Sequence, residues 1–160
     1  MESNLSLPQR RGPAPKTLQR LPHSQLTQHG PDDIVEKLHS WCFSLPEILN
    51  EHSGISVPGS RALVLCEGVQ GNRRAFMIGR EFAHIHPKPD NGSMHLMLPP
   101  HEVEMVKETG WGEDHYLVTQ GQFPPGLVMI FSPRDTGELE TVKKIVARSY
   151  AYATGVSVSA

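Results

Sequence analysis

The spacing of apolar positions predicts three helices, all of them after residue 30. The first lies in GPDDIVEKLHSWCFSLPEI, where Asp32 or Asp33 can cap the first turn and apolar residues recur at helical spacing. PPHEVEMVKETG has proline in its first turn and Gly110 at its end, which is typical of a second helix. SPRDTGELETVKKIVARSYAYATG predicts the third, because it opens with the capping pattern Asp135-x-x-Glu138.

Four other segments predict strands. RALVLCEG is apolar and β-branched, and GLVMIFS is apolar throughout, as a buried central strand would be. AFMIGREFAHIH and SMHLMLP flank the turn-forming residues PKPDNG, which predicts a hairpin. The order is helix, three strands, helix, strand, helix. It predicts an α+β fold, a single domain with a mainly antiparallel sheet covered by helices.

The first thirty residues differ from the rest of the chain. They are rich in proline, glutamine, serine and arginine, and they contain no apolar run. Such a composition is typical of a chain that cannot bury enough apolar surface to fold. We therefore predict a flexible N-terminal tail over residues 1–30 and a folded α+β domain over residues 31–160.

Composition and charge narrow the range of partners. The net charge of −2 and the pI of about 6.5 provide no basic surface for nucleic acid, and no apolar stretch is long enough for a membrane span. Cys42 and Cys66 form no Cys-x-x-Cys pair, so we expect reduced thiols and a cytoplasmic protein. Neither the Gly-x-Gly-x-x-Gly motif nor the P-loop motif of nucleotide-binding proteins is present in the sequence. A small-molecule substrate is therefore the expected partner, and no organic cofactor is expected. The sequence does not indicate the oligomeric state.

Strand alternation predicts where three neighbouring histidines point. Because successive side chains of a strand face opposite sides, His84 and His86 should share a face with Arg80 and Phe82. Glu81 should face away from them. If Ala83 and Ile85 pair with Leu96 and Leu98 toward the core, then His95 joins the two histidines on the opposite face. The sequence thus predicts three imidazoles at one site beside Arg80.

The segment TGWGEDHY adds two further candidates. Gly110 and Gly112 allow sharp turns on either side of Trp111, and His115 follows shortly after. One interpretation is a loop that folds Trp111 and His115 over the histidine face. The other is a tryptophan that packs at the sheet edge, with His115 on the surface.

The residues leave three kinds of chemistry open. Two imidazoles at positions i and i+2, with a third from a paired strand, form a geometry that transition metals accept. Histidine is also the side chain best suited to proton transfer near neutral pH. The third possibility is that the histidines are structural or exposed.

Three motifs, taken together, resemble a known family. GREFAHIHPKPDNGSMHLMLPP, then GWGEDH, then IFSPRDTGELETVKKIV are similar to the luciferase domain of bioluminescent fungi and of uncharacterised bacterial and fungal proteins. The resemblance covers roughly residues 75–152. The fungal enzyme is an oxygenase that adds O₂ to a hydroxylated styryl-pyrone. This chain differs from it in carrying Glu113 and Asp114 within the loop, and we expect no membrane anchor.

The resemblance implies roles for individual residues. The matching positions suggest catalytic histidines and a set of substrate-binding residues, which are His84, His86, His95 and His115 for catalysis and Arg80, Trp111 and Arg134 for substrate. An imidazole would deprotonate an acidic enol or phenol, and the electron-rich product would react with O₂ directly. An arginine could stabilise the enolate oxygen, and Trp111 could stack on a planar ring.

The leading hypothesis is therefore an oxygenase-type enzyme, an oxidoreductase of monooxygenase-like character, with O₂ as co-substrate. No metal is expected in this hypothesis. One alternative is a divalent metal held by His84, His86 and His95, either in a metal-dependent enzyme or in a metal-binding protein. The other is a non-catalytic module that binds a planar small molecule.

Overall fold

Six strands build one antiparallel sheet in the computed structural model, which describes residues 5–160. Neighbouring strands follow the order β1-β2-β3-β4-β6-β5, and every pair is antiparallel. The strands are β1 (Ile48–His52), β2 (Arg61–Leu65), β3 (Glu81–Ile85), β4 (Met94–Met97), β5 (Gly112–Asp114) and β6 (Leu127–Ile130). The predicted α+β class and mainly antiparallel sheet are confirmed. β1 and β5 were not predicted, since their short segments are mostly polar.

The helices are α1 (Asp32–Cys42), α2 (Pro100–Glu108), α3 (Tyr116–Thr119) and α4 (Thr136–Thr154). The predicted cap of α4 is present, because the Asp135 side chain accepts a hydrogen bond from the Glu138 N–H at 2.9 Å. The predicted side-chain cap of α1 is wrong. Pro31 occupies the N-cap position there, and Asp32 instead forms an ion pair with Lys88. The short α3 was not predicted.

The longest helix, α4, covers one face of the sheet. α4 packs on β3 and β4, and α1 packs on α4. The apolar core lies between these layers and includes Leu38, Leu63, Ala83, Leu96, Leu98, Val128, Ile130, Val142 and Ile145. The face opposite this core carries His84 and His95, which are directly paired across β3 and β4. The sheet therefore separates an apolar side from a histidine side.

A β-bulge changes the predicted orientation at the start of β3. The register runs from Leu63 opposite Ala83 to Val64 opposite Glu81, so Phe82 is an extra residue in the strand. Phe82 is fully buried in the core, with its ring 6.3 Å from that of Tyr150. The predicted positions of Phe82 and Glu81 are therefore wrong, because the extra residue reverses the alternation. Glu81 lies on the histidine side.

The described part of the predicted tail, residues 5–30, packs against the sheet. Leu5, Arg10, His23 and Gln25 are buried, and Thr17 and Gln25 form an antiparallel bridge within the segment. This differs from the expected flexible tail, whose first four residues lie outside the described part. Apolar periodicity did not reveal the packing because polar side chains make most of the contacts.

Gln25 shows how this segment is held. Its side-chain oxygen accepts a hydrogen bond from the Ser132 N–H at 2.8 Å, and its own backbone N–H donates to Asp90 at 3.0 Å. The Gln25 amide group donates to the carbonyl of Thr27 at 2.9 Å. A buried polar side chain thus ties the N-terminal segment to the end of β6.

Two further features bear on the environment of the protein. Cys42 and Cys66 are both free thiols, and burial raises the pKa of Cys42 to about 12. Neither forms a disulfide within residues 5–160, as predicted. In the same range, every helix is too short or too polar to cross a membrane.

We expect Gln25→Ala to lower the free energy of unfolding by about 1–3 kcal/mol, because the buried Ser132 N–H loses its acceptor. Denaturant unfolding monitored by circular dichroism measures the change. Leu26→Ala is the matched control, since Leu26 is 51 % exposed and its substitution should change the free energy by less than about 0.5 kcal/mol. Equal stability of the two variants would contradict the packed arrangement of residues 5–30.

Candidate functional site

The four histidines predicted as catalytic lie together with a fifth one, His23. We call these five residues, His23, His84, His86, His95 and His115, the histidine cluster. The ring of His95 is central: its centroid lies 4.3 Å from that of His86, 4.4 Å from that of His115 and 5.0 Å from that of His84. All five are buried. The predicted convergence of four imidazoles is therefore observed.

Each histidine is positioned by a different part of the chain. His84 lies in β3 opposite His95 in β4, and His86 follows the end of β3 on the same side. His115 is the N-cap of α3, and its backbone N–H donates to the Leu127 carbonyl at 3.2 Å. His23 comes from the N-terminal segment. Strand pairing alone thus explains only three of the five positions.

The cluster lines a cavity of about 410 Å³, which we call the histidine pocket. The remaining wall is almost entirely apolar and consists of Leu21, Pro22, Ile55, Val57, Met77, Leu117 and Leu127, with Ser56 as its one further polar residue. The volume suits a small planar molecule. Specific polar contacts in this pocket must come mainly from the imidazoles.

Hydrogen bonds determine the proton positions on His84 and His95. Glu81 lies 2.8 Å from Nδ1 of His84, and a carboxylate can only accept, so Nδ1 carries the proton. Nε2 of His84 then has a lone pair, which lies 3.1 Å from Nδ1 of His95. His95 therefore donates from Nδ1. Its own Nε2 is left with a lone pair that is buried and has no partner in the described chain.

His86 has the same tautomer for a similar reason. Its Nδ1 lies 2.9 Å from Oγ of Ser93 and 3.1 Å from a carboxylate oxygen of Asp90. A proton on Nδ1 is required, because a lone pair there would repel the carboxylate. Nε2 of His86 therefore has a lone pair as well, on a residue that lines the histidine pocket.

His115 and His23 have the opposite tautomer. Nδ1 of His115 accepts a hydrogen bond from the Leu117 N–H, and Nδ1 of His23 accepts one from the Tyr116 N–H, both at 3.0 Å. Each ring therefore carries its proton on Nε2 when neutral. His23 donates that proton to Glu113 at 2.7 Å, whereas His115 can offer its N–H to the pocket.

Burial keeps three of the imidazoles neutral. It lowers the pKa of His115 to about 3, and repulsion from neighbouring histidines acts in the same direction. Burial also lowers the pKa of His84, against the effect of Glu81, and holds that of His95 well below its ordinary value. The tautomers deduced for these three rings apply because the rings are uncharged near neutral pH.

The carboxylates beside the cluster are ionised. Burial would raise the pKa of Glu81, but hydrogen bonds from His84, Ser53 and Gly54 lower it below its ordinary value. The same balance lowers the pKa of Asp90 through His86 and of Glu113 through His23. Each carboxylate thus orients one imidazole by accepting from it.

The three residues predicted to bind substrate lie outside the histidine pocket. Arg80 donates to the carbonyls of Leu65, Cys66 and Val69, because the bulge at Phe82 changes the direction of the chain before β3. Arg80 therefore does not stand beside the imidazoles as predicted.

Trp111 and Arg134 also contact other parts of the protein. The Trp111 indole is buried in the core and donates to the Pro8 carbonyl at 2.6 Å, which matches the interpretation of a packed tryptophan rather than one displayed over the site. Arg134 forms an ion pair with the buried Glu138 at 2.6 Å and donates to the Arg11 carbonyl at 2.8 Å. Its role in the structure is to join the N-terminal segment to α4.

Sequence reasoning missed four residues of the site. His23 stands alone in a polar segment, so no local pattern indicated its position. Glu81 is adjacent to the His-x-His motif, but simple alternation pointed it away. Asp90 lies in the predicted hairpin turn, and a turn that folds back toward His86 would have indicated its contact with that histidine. Glu113 carried no signal of its contact with His23.

Two groups of three histidines are close enough to hold a metal ion. Each of His84, His86 and His95 offers a nitrogen within 4.8 Å of the others, and the same holds for His23, His95 and His115. The first group fits a metal better, because carboxylates hold the Nδ1 protons of His84 and His86, as is usual for metal-binding histidines. In the second group both nitrogens of His23 are hydrogen-bonded to groups outside it, Glu113 and the Tyr116 N–H, whereas Nε2 of His84 is hydrogen-bonded to His95, a member of its own group.

Comparison with known proteins gives one match. A family profile described as Luciferase domain matches residues 79–149, the part of the chain that supplies four of the five clustered histidines. No curated protein and no solved structure gives a significant match. The histidine pocket is thus largely built from the matched region. The match over residues 79–149 supports a luciferase-domain assignment for this part of the chain.

Proposed function

We propose that the protein is a small-molecule enzyme of oxygenase type, acting on a planar enol, phenol or pyrone-like substrate with O₂ as co-substrate. The observation that carries this proposal is a largely apolar pocket whose polar wall consists mainly of imidazoles held in fixed hydrogen bonds. The luciferase-domain match supports it, because the fungal luciferases that this domain resembles are oxygenases.

The proton positions indicate which substrate groups fit. His115 offers an N–H donor, whereas His86 and His95 offer lone pairs. A molecule with a carbonyl oxygen next to an acidic hydroxyl satisfies both, since the carbonyl accepts from His115 and the hydroxyl donates to a lone pair. The apolar side chains of Val57 and Leu127 would contact the faces of its ring.

The reaction needs only the substrate and O₂. An imidazole lone pair takes the hydroxyl proton, and the N–H of His115 stabilises the developing enolate oxygen. O₂ then forms a bond to the electron-rich carbon, which is oxidised by two electrons while O₂ is reduced to a peroxide. The imidazolium returns its proton to the terminal oxygen, so that the product is an organic hydroperoxide.

A second candidate is a divalent metal site at His84, His86 and His95. It is favoured by Glu81 and Asp90, which hold the Nδ1 protons of His84 and His86. Nε2 of His86 then has a lone pair for a cation, and Nε2 of His84 becomes able to bind one when His95 gives up its Nδ1 proton. Imidazole ligands suit zinc, copper, iron and nickel. A metal would polarise an enol oxygen in place of the proton transfer described above.

For the leading proposal, we expect purified protein to consume O₂ with at least one member of a panel of hydroxypyrones and planar phenols. His95→Asn should lower the rate about 10²–10⁴-fold, as expected for loss of a catalytic base. His101→Asn is the matched control, because the side chain of His101 is 57 % exposed and lies outside the pocket. An oxygen electrode measures both rates.

Two results would contradict the leading proposal. If no member of the panel binds, the substrate class is wrong. If ligands raise the melting temperature but O₂ is not consumed, the protein is a binding module rather than an oxygenase.

For the metal candidate, we expect one equivalent of Co²⁺ to bind and to give visible ligand-field absorption. His86→Asn should abolish the absorption, and Asp90→Asn should weaken binding about 10–100-fold, because Asp90 orients the ligand. His115→Asn, which lies in the pocket but outside the group of three, should have no effect. A wild-type protein that gives no Co²⁺ spectrum would eliminate this candidate.

The low pKa of His115 predicts acid sensitivity. The ring is neutral in the folded state down to a pKa of about 3, whereas the unfolded chain takes up the proton near the ordinary value of 6.5. Below pH 6.5 the unfolded state therefore binds more protons, and stability falls by about 1.4 kcal/mol per pH unit for this residue.

His115→Asn tests this assignment, since asparagine can still cap α3 but does not titrate. Between pH 6.5 and pH 4 we expect the free energy of unfolding to fall less steeply in the variant than in wild type. The difference between the two slopes should correspond to the uptake of about one proton. Unfolding curves at several pH values give that slope. Identical slopes for both proteins would show that His115 is not a buried neutral ring.

A further inference from the structure

The contacts of Glu81 point to one of the lone pairs in the histidine pocket as the base. We infer that Glu81 is a positioning residue that acts through His84 and makes Nε2 of His95 the base of the site. This inference rests on the proposed function and deepens it, since that function leaves the choice between His86 and His95 open. It gives a role to Glu81, which strand alternation had placed on the opposite face.

The carboxylate of Glu81 is held in one orientation. It is 3 % exposed, and one oxygen accepts from the Gly54 N–H at 3.0 Å, while the other accepts from the Ser53 hydroxyl at 2.7 Å. The second oxygen also faces Nδ1 of His84 at 2.8 Å. With three donors directed at it, the carboxylate has no freedom to turn, and His84 must present its proton there.

The orientation of His84 is passed to His95. Since Nδ1 of His84 is protonated, Nε2 is an acceptor, and its neighbour at 3.1 Å must be the Nδ1–H of His95. The far side of the His95 ring then has a lone pair. The carboxylate at the start of β3 thus determines, through two hydrogen bonds, which nitrogen of His95 carries the proton at the centre of the cluster.

The lone pair of His95 differs from that of His86 in its surroundings. Nε2 of His95 is buried and has no donor in residues 5–160, and a buried acceptor without a partner is unfavourable. A substrate hydroxyl in the histidine pocket would supply the missing donor. When Nε2 takes the proton, the positive charge is shared with His84 and Glu81 through two hydrogen bonds.

The proton positions can be measured directly. In ¹⁵N-histidine-labelled wild-type protein without ligand, nitrogen chemical shifts and long-range ¹⁵N–¹H couplings distinguish protonated from unprotonated ring nitrogens. At pH 7 we expect His84 and His95 to carry the proton on Nδ1, and His23 and His115 to carry it on Nε2. A protonated Nε2 on His95 would overturn the inference, whatever the variants show.

Glu81→Gln should reverse the chain of hydrogen bonds. If the amide oxygen accepts from Gly54, the amide N–H₂ faces His84, which must then carry its proton on Nε2. Nδ1 of His95 would then accept a hydrogen bond from Nε2–H of His84, and His95 would carry its own proton on Nε2. We therefore expect the His95 tautomer to change in this variant. An unchanged tautomer in a folded variant would overturn the positioning role.

Glu113→Gln is the matched control, because it is the same change at the carboxylate that orients His23. It should leave His95 protonated on Nδ1, since its hydrogen-bond chain does not include His95. A change at His95 in this variant would show that the tautomer responds to general disturbance of the cluster. If Glu81→Gln fails to fold, Ser53→Ala is used in its place, because it removes one hydrogen-bond donor to Glu81. A smaller change is then expected in the ring-nitrogen signals of His95.

A chromogenic phenol tests the role as a base. Because Glu81 favours positive charge on His95, bound 4-nitrophenol should ionise about one pH unit lower in wild type than in Glu81→Gln. Equal ionisation in both proteins would overturn the base assignment while leaving the tautomers intact. Failure of every phenol and pyrone to bind would instead reject the proposed function, and the nuclear magnetic resonance result would still stand.

Discussion

An ionised carboxylate can accept hydrogen bonds but cannot donate them, and the organisation of the histidine cluster depends on this constraint. Glu81, Asp90 and Glu113 are each partly or fully buried, and each is stabilised by an imidazole N–H. Because a neutral imidazole has one proton, each carboxylate also determines where the lone pair of its partner lies. Burial completes the arrangement at His84, because it lowers the pKa of that imidazole.

The N-terminal segment forms part of the site, although it lies outside the region that matches the family. His23 is held between Glu113 and the Tyr116 N–H, and Thr17 donates to the same carboxylate at 2.9 Å. Leu21 and Pro22 from this segment line the histidine pocket. The sheet therefore carries His84 and His95, and the N-terminal segment supplies His23 and part of the pocket wall.

The sequence predicted the architecture well where periodicity was strong. The three long helices and the β3–β4 hairpin are present, and His84 and His95 share a face as alternation predicted. The register differs from the predicted one, because Ala83 pairs with Leu96 but Ile85 pairs with Met94. The predictions for Arg80 and Glu81 failed at the bulge, because one extra residue reverses the alternation before it. The interpretation of residues 1–30 failed for a different reason, since polar contacts such as those of Gln25 have no hydrophobic period.

The sequence by itself determined that His84, His86 and His95 share one side of the sheet, because the local repeat of a strand and the geometry of a hairpin act over a few residues. Only the tertiary structure decided the proton positions. They depend on pairs far apart in the chain, such as His23 with Glu113, and on burial of charge, which no local pattern reports. The same holds for Trp111. Its glycine-flanked loop was compatible either with display over the site or with packing, and the structure shows it packed, with its indole N–H donating to the Pro8 carbonyl.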